Sequence, residues 1–206
     1  MRFCHPSILI ALVFTLMACN PPREDRFATW KAVERNRQAT EQLGQYLGTH
    51  KVGDVIPLEQ LLRSDTQWRR CHAEPFAIPA KDKWPEMIPT LRLIRDEVKP
   101  LIGPVEAMSV YRGSVINDCI KGASRSYHLQ FRAIDMRPLK SISRANLIEK
   151  LCALHAQKGK ALSMGLGIYN GTRFHIDTAG YRRWGHDHTA STSPCASFVA
   201  PQRKNR

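Results

Sequence analysis

The chain has 206 residues, of which 43% are hydrophobic, and it carries a formal net charge of +13. That length suits one well-packed domain, and the hydrophobic fraction excludes a mainly disordered chain. A basic surface favours polyanions such as nucleic acid, anionic lipid headgroups or acidic cell-wall polymers, so charge alone does not choose among them.

The N-terminus has the pattern of a secretory signal peptide. Arg2 precedes an apolar run, from Ile8 to Ala18, that is too short to span a bilayer and ends in small residues. The ending "LMAC" resembles the lipobox of bacterial lipoproteins, in which Cys19 would become the lipidated first residue of the mature chain. Because Asn20 is not the aspartate associated with inner-membrane retention, the resemblance implies an outer-membrane destination.

The expected product is a periplasm-facing protein that lipid chains hold at a membrane surface. Its basic surface can lie against anionic headgroups, although a solvated surface explains the charge equally well. Export argues against a nucleic-acid partner, and the sequence leaves the oligomeric state open.

The first half of the mature chain predicts helices. Spaced apolar residues indicate one helix from Phe27 to about Tyr46, after a short linker. A short second helix starts at Pro57, a residue that suits the first turn of a helix. A third, amphipathic helix is predicted from near Pro85 to Gly103, with apolar residues at helical spacing.

The second half predicts strands around one helix. The segments "VEAMSVYR" and "FRAIDMR" alternate as strands do, and "SRANLIEKLCALHAQKG" predicts a helix that Ser143 caps and Gly159 ends. The strands "ALSMGLGIY" and "TRFHID" are joined by a turn at Asn170 and Gly171, a strong hairpin signal. This order indicates an α+β fold with an antiparallel sheet flanked by helices.

Cysteine usage indicates disulfides. After removal of the signal peptide and lipidation of Cys19, four cysteines remain in an oxidising compartment, and no C-x-x-C spacing favours a zinc–thiolate site. Of three possible pairings, the favoured one joins Cys71 to Cys119 and Cys152 to Cys195. Each bridge would close a loop of about 45 residues and stabilise the fold by roughly 4 kcal/mol in the chain-entropy model.

Two histidines and one aspartate stand out as candidate metal ligands. His128 precedes the strand that carries Asp135, and His175 lies on a strand of the following hairpin. Two imidazoles and one carboxylate suit Zn²⁺ and leave a fourth position for water. Spacing alone is a weak signal, since a lone histidine is more often a packed or surface residue.

Three motifs around these residues resemble those of the zinc D,D-peptidases, peptidoglycan-cleaving enzymes that share a fold with the Hedgehog signalling domain. "SYHLQFRAID" is similar to the family signature S-x-H-x-x-G-x-A-x-D, and "SVYRGSVIN" resembles the segment S-G-Y-R-x-x-x-x-N. "GLGIYNGTRFHIDTAGYRRWG" resembles the block that carries the third ligand. The three motifs occur in the family's order.

The resemblance implies that His128, Asp135 and His175 bind one Zn²⁺ ion. It assigns Arg112 to substrate handling, since a guanidinium can clamp a carboxylate or a developing oxyanion, and the alternative role is a structural salt bridge. It also implies that Ser126 and Tyr169 contact substrate.

The chain departs from the family pattern at two places. The acidic residue that often stands three positions before the last ligand is Thr172 here, and the histidine two before it is Arg173. Asp177 is then the best candidate for the general base, with orientation of a ligand histidine as its alternative role. His186 and His188 could also approach the site. At the second place, Phe131 replaces the family glycine, so the backbone must fit an ordinary strand conformation or the pocket must differ from the family's.

Together these features predict a zinc-dependent peptidase that hydrolyses peptidoglycan stem peptides or cross-links, as a D,D-carboxypeptidase or an endopeptidase. The alternative is a non-catalytic peptidoglycan-binding lipoprotein on the same scaffold. The predicted organisation is a signal peptide (1–18), a linker (19–26), a mostly helical region (27–84), the zinc-peptidase core (85–190) and a basic C-terminal tail (191–206).

Overall fold

A five-stranded sheet organises the part of the chain that the computed structural model describes, residues 23–198. The predicted signal peptide and Cys19 lie outside the described residues. The strands are β1 (Val105–Ser109), β2 (Ala133–Pro138), β3 (Gly165–Ile168), β4 (Phe174–Asp177) and β5 (Arg182–Trp184).

The sheet is mixed, with the strand order β1-β2-β4-β3-β5. The three pairings among β1, β2, β4 and β3 are antiparallel, as the alternating sequence patterns predict. Gly171 has φ +65 in the turn between β3 and β4, which is the conformation that a glycine in an Asn-Gly turn supplies. The predicted antiparallel sheet is extended by β5, a strand that the sequence did not predict and that runs parallel to β3.

Helices cover the sheet and form most of the first half of the described chain, which confirms the α+β class. None of them, within residues 23–198, combines the length and the apolar character that a membrane crossing needs. The α-helices are α1 (Arg23–Lys31), α2 (Glu34–Thr49), α3 (Leu58–Leu61), α4 (Trp84–Leu93), α5 (Lys99–Ile102), α6 (Ser114–Cys119) and α7 (Arg144–Lys158).

The helix predicted over Phe27 to Tyr46 is broken into α1 and α2. Val33 has an extended backbone, with φ −68 and ψ 121, and this separates the two helices. The break lets Phe27 and Trp30 pack on Phe76, with ring centroids 5.1 and 5.5 Å away. This contact joins residues far apart in sequence, so helical periodicity alone does not reveal it.

The helix predicted from Pro85 to Gly103 is present as a continuous helical segment. A π-helical turn over Ile94–Val98 joins α4 to α5, and Gly103, at φ +82, ends the segment. Similarly, the Ser143 hydroxyl caps α7 by accepting a hydrogen bond from the Asn146 amide at 3.2 Å.

A single hydrophobic cluster joins α2, α3 and α4 to the sheet, with members such as Leu43, Leu61, Leu91, Ile134 and Phe174. The packing therefore crosses the predicted boundary between residues 84 and 85, and that boundary stays a prediction.

Both expected disulfides are present, Cys71–Cys119 and Cys152–Cys195. The first ties the loop after α3 to the end of α6. The second ties α7 to the segment that follows β5.

Candidate metal centre

The pairing of β2 with β4 brings two of the candidate ligands together. Asp135 and His175 are directly opposite each other in the antiparallel register, so their side chains share one face of the sheet. Asp177, two residues after His175, lies on that face as well. All three side chains are buried.

His128 completes the group from outside the sheet. It lies on a short 3₁₀ helix, Tyr127–Gln130, just before β2, and is 2% exposed. Its Nε2 is 3.2 Å from Nδ1 of His175 and 3.4 Å from Oδ1 of Asp135, and the last two atoms are 2.9 Å apart. We call His128, Asp135 and His175 the ligand cluster.

The partners of the two imidazoles fix which nitrogen faces the cluster. His128 donates from Nδ1–H to the carbonyl of Val110 at 2.7 Å, which leaves its Nε2 lone pair directed to the cluster. His175 donates from Nε2–H to Oδ2 of Asp177 at 2.9 Å, and its Nδ1 faces Oδ1 of Asp135 at 2.9 Å. Two imidazole nitrogens and a carboxylate oxygen therefore converge, an arrangement that a shared cation stabilises.

The distances within the ligand cluster fit a zinc ion. In a tetrahedral site with bonds of about 2.0–2.1 Å, ligand atoms lie about 3.3 Å apart. The three distances in the cluster, 2.9, 3.2 and 3.4 Å, surround that value. The residues present therefore match the donor set and the spacing that a Zn²⁺ ion requires.

The pKa shifts of the ligand cluster also suit a cation. Burial lowers the pKa of His128 to about 4, with a further contribution from the nearby Arg112 charge, so this imidazole is unprotonated at neutral pH. Burial opposes a charge on His175, but hydrogen bonds to Asp135 and Asp177 outweigh it and raise its pKa. The surroundings of His175 thus stabilise a positive charge.

Two arginines hold the second oxygen of Asp135. Arg112 and Arg173 each donate from Nη2 to Oδ2, at 2.7 and 2.6 Å. Oδ1 remains directed to the histidines. Arg112 also contacts Asp65 at 3.3 Å and donates to the Ser109 hydroxyl at 2.9 Å.

Sequence reasoning did not find Asp65 or the contact of Arg173 with Asp135. Asp65 lies after α3, outside the three motifs, and no local pattern marks it. Arg173 was visible only as a departure from the family pattern. Arg112, which the resemblance assigns to substrate, is 8% exposed and contacts a ligand residue directly.

Asp177 is a fully engaged buried carboxylate. It accepts hydrogen bonds from His175, from the Ala179 amide at 2.8 Å and from Nη2 of Arg182 at 2.6 Å. Although burial works against the charge, these contacts lower the pKa of Asp177, so it stays ionised. This position suits the second of its two predicted roles, the orientation of His175.

Two glycines of β3 make room for groups beside His175. A Cβ on Gly165 would lie 2.4 Å from Oδ2 of Asp177, and one on Gly167 would lie 2.5 Å from Nε1 of Trp184. Trp184 packs edge-on against His175, with ring centroids 4.9 Å apart. The two glycines of "GLG" therefore leave the space that Asp177 and Trp184 need to pack against His175.

Phe131 keeps the backbone conformation that the family glycine would favour. It has φ 53 and ψ 45, in the left-handed region, where it ends the 3₁₀ helix. For a residue with a side chain this conformation costs about 1–2 kcal/mol. The ring is fully buried, 6.3 Å from that of Tyr111, which offsets the cost, and it lines neither of the cavities beside the ligand cluster.

Two cavities flank the ligand cluster. The imidazole-side cavity, of about 510 Å³, touches His128 and His175, and the carboxylate-side cavity, of about 370 Å³, touches Asp135. Tyr169 and Arg112 line both cavities and Ser126 lines the first, so the three residues predicted to contact substrate all border these cavities. We call the outer lining residues the rim: Lys121, Arg125, Arg183, His186 and His188.

The comparisons with known proteins identify the family. A family model described as Peptidase M15 matches residues 58–177, which is more than half of the chain and includes the whole ligand cluster. The chain belongs to the peptidase M15 family. No curated protein and no solved structure matches it.

Family membership confirms the resemblance that the three motifs indicate. Membership supports a peptidase activity, and members of this family are typically metallopeptidases. The match begins in α3, earlier than the predicted core, and so includes Asp65.

Proposed function

We propose that this M15 protein is a zinc-dependent peptidase that hydrolyses amide bonds involving D-amino acids in peptidoglycan stem peptides or cross-links. The observation that carries the proposal is the ligand cluster, in which two imidazole nitrogens and one carboxylate oxygen converge beside open cavities. Carboxypeptidase and endopeptidase action both fit this arrangement.

The ligand cluster would hold the ion through Nε2 of His128, Oδ1 of Asp135 and Nδ1 of His175. When bound, Zn²⁺ would polarise the scissile carbonyl and make water a nucleophile near neutral pH. The protein's part is to hold the cluster in place. Val110 and Asp177 fix the two imidazoles, and Arg112 and Arg173 fix the carboxylate.

Proton transfer needs a further group, because the acidic residues around the ligand cluster are engaged. Asp65 contacts Arg112, and Asp177 is held by His175 and Arg182. The imidazole of His188 lines both cavities. We assign His188 to proton transfer and Asp177 to the orientation of His175.

The proposal places the protein in the periplasm, held by lipid on Cys19 to a membrane, with the outer membrane as the expected destination. The support is the sequence at the N-terminus, "MRFCHPSILIALVFTLMAC". Peptidoglycan lies within reach of a protein anchored in this way.

The test is mass spectrometry of muropeptides released from purified sacculi by the wild-type protein and by Asp135→Ala. We expect released peptides with the wild type alone. Identical product profiles would contradict the enzymatic proposal. Zinc-bound protein that adheres to sacculi without releasing products would favour the non-catalytic binder.

A further inference from the structure

The imidazole-side cavity has a strongly one-sided charge. Its lining includes five basic residues, and none of the described residues that line it is acidic. The basic residues are Arg112, Lys121, Arg125, Arg182 and Arg183.

Within residues 23–198, acidic side chains pair with two of these five basic residues. Arg112 pairs with Asp135 and Asp65, and Arg182 pairs with Asp177 at 2.6 Å. Arg182 also lies over the ring of Tyr127, 4.5 Å from its centroid. Among the described residues, no ion pair involves the other three, Lys121, Arg125 and Arg183.

These three cations are accessible to a substrate. Lys121 and Arg125 are exposed and Arg183 is half-buried. The backbone positions of Lys121 and Arg183 are fixed by the fold and do not depend on a bound ligand. Lys121 follows the disulfide-bonded Cys119 by two residues, and Arg183 lies on β5, paired with Leu166 of β3.

The carboxylate-side cavity also has basic residues in its lining. Lys121 lines both cavities, and Arg173 lines the second. The two acidic residues there, Asp65 and Asp135, already contact Arg112 or Arg173. A cavity with unpaired cations beside a metal centre attracts anionic groups more strongly than neutral ones.

We propose that the imidazole-side cavity recognises free carboxylates of the substrate, and that Lys121, Arg125 and Arg183 determine this preference. The inference rests on the proposed function for the identity of the peptide. It narrows the substrate class to stem peptides whose carboxylates near the scissile bond are free rather than amidated.

The test uses one synthetic stem pentapeptide ending in D-Ala-D-Ala, in a form with free carboxylates and a form with amidated ones. Binding of each is measured by calorimetry on metal-free protein, so that no turnover occurs, and kcat/KM is measured on zinc-loaded protein. We expect the wild type to bind the free form about 10- to 100-fold more tightly, at roughly 2- to 5-fold for each of the three cations.

Two triple variants each remove three positive charges, one inside the cavity lining and one outside it. The variant K121Q/R125Q/R183Q should lose the discrimination between the two peptides. The control R35Q/R92Q/K160Q changes three exposed cations outside both cavities and should keep it. In the wild type, added salt should weaken binding of the free form only, which tests the idea without any substitution.

Equal binding of the two peptides by the wild type would overturn the inference, even if hydrolysis is demonstrated. Equal loss of discrimination in both triple variants would also overturn it, because the effect would then belong to the net charge. Rim-dependent binding of the free form without hydrolysis would support the inference and contradict the proposed function.

Discussion

The ligand cluster and the rim are neighbouring polar regions that differ in burial, in backbone structure and in how their side chains are held. The cluster is buried, lies mainly on paired strands, and every one of its side chains has a fixed partner. The rim is largely exposed, and most of it lies on loops. Rigid strands position groups that must hold one geometry, whereas loop residues can change without disturbing the core.

This difference separates two kinds of property. Metal binding should depend on the cluster and its partners, while proton transfer and the choice of substrate should depend on the rim. The disulfides hold rim segments to the rest of the fold, because Cys119 lies just before Lys121 and Cys195 lies in the segment after His188. Substitutions in each region should therefore give distinct signatures.

The largest effect should come from replacing one histidine in each region. His175→Ala removes a ligand and should abolish both stoichiometric zinc binding and turnover. His188→Ala should keep the zinc and lower kcat by about 10²- to 10⁴-fold, as expected for loss of a proton-transfer group. Metal content and muropeptide release measured on the same samples check both. Loss of zinc from His188→Ala would break the division between cluster and rim.

The second effect concerns the disulfide that anchors the rim. The double variant C152S/C195S opens a loop with a sequence separation of 43 and should lower the free energy of unfolding by about 4 kcal/mol. Urea unfolding checks this value. If stability falls but the discrimination between free and amidated peptides is unchanged, the rim keeps its structure without the Cys152–Cys195 disulfide.

A third prediction concerns Phe131, which supports the cluster without touching the cavities. Phe131→Ala should lower the free energy of unfolding by about 3 kcal/mol, because a buried ring is lost. Phe131→Gly should be about 1 kcal/mol more stable than Phe131→Ala, since glycine adopts positive φ without strain. Equal stability of the two variants would contradict the left-handed backbone at this position.

The smallest effect is expected from a substitution of Asp177, the hydrogen-bond partner of the candidate ligand His175. Asp177→Asn keeps the shape but weakens the hold on His175, and should lower zinc affinity by about 10- to 100-fold. Asp96→Asn, at an exposed carboxylate on the helix before β1, is the matched control and should leave the affinity unchanged. Competition with a chromophoric chelator measures both. A variant with full zinc affinity and no turnover would restore Asp177 as the general base.

Local patterns predicted much of the fold. The cap at Ser143, the turn at Asn170 and Gly171, and the antiparallel strands all follow from short-range chemistry, and the structure has them. The break at Val33 and the strand β5 were missed because contacts distant in sequence create them. A three-residue strand paired with β3 leaves no periodic signal of its own.

The candidate site divides in the same way. The motifs brought out His128, Asp135 and His175, and their convergence in space agrees with that prediction. Asp65 and the pairing of Arg173 with Asp135 needed the tertiary structure. The conformation of Phe131 needed it too, since sequence alone shows a missing glycine and not the backbone that replaces it.

The most direct test of the account is a zinc titration of metal-free protein, followed by release of muropeptides from sacculi. We predict that release rises linearly and stops rising at one zinc ion per chain, and that Asp135→Ala releases nothing at any ratio. Full release by the metal-free protein, or no release at one equivalent of zinc, would contradict the assignment of the ligand cluster as the catalytic metal centre.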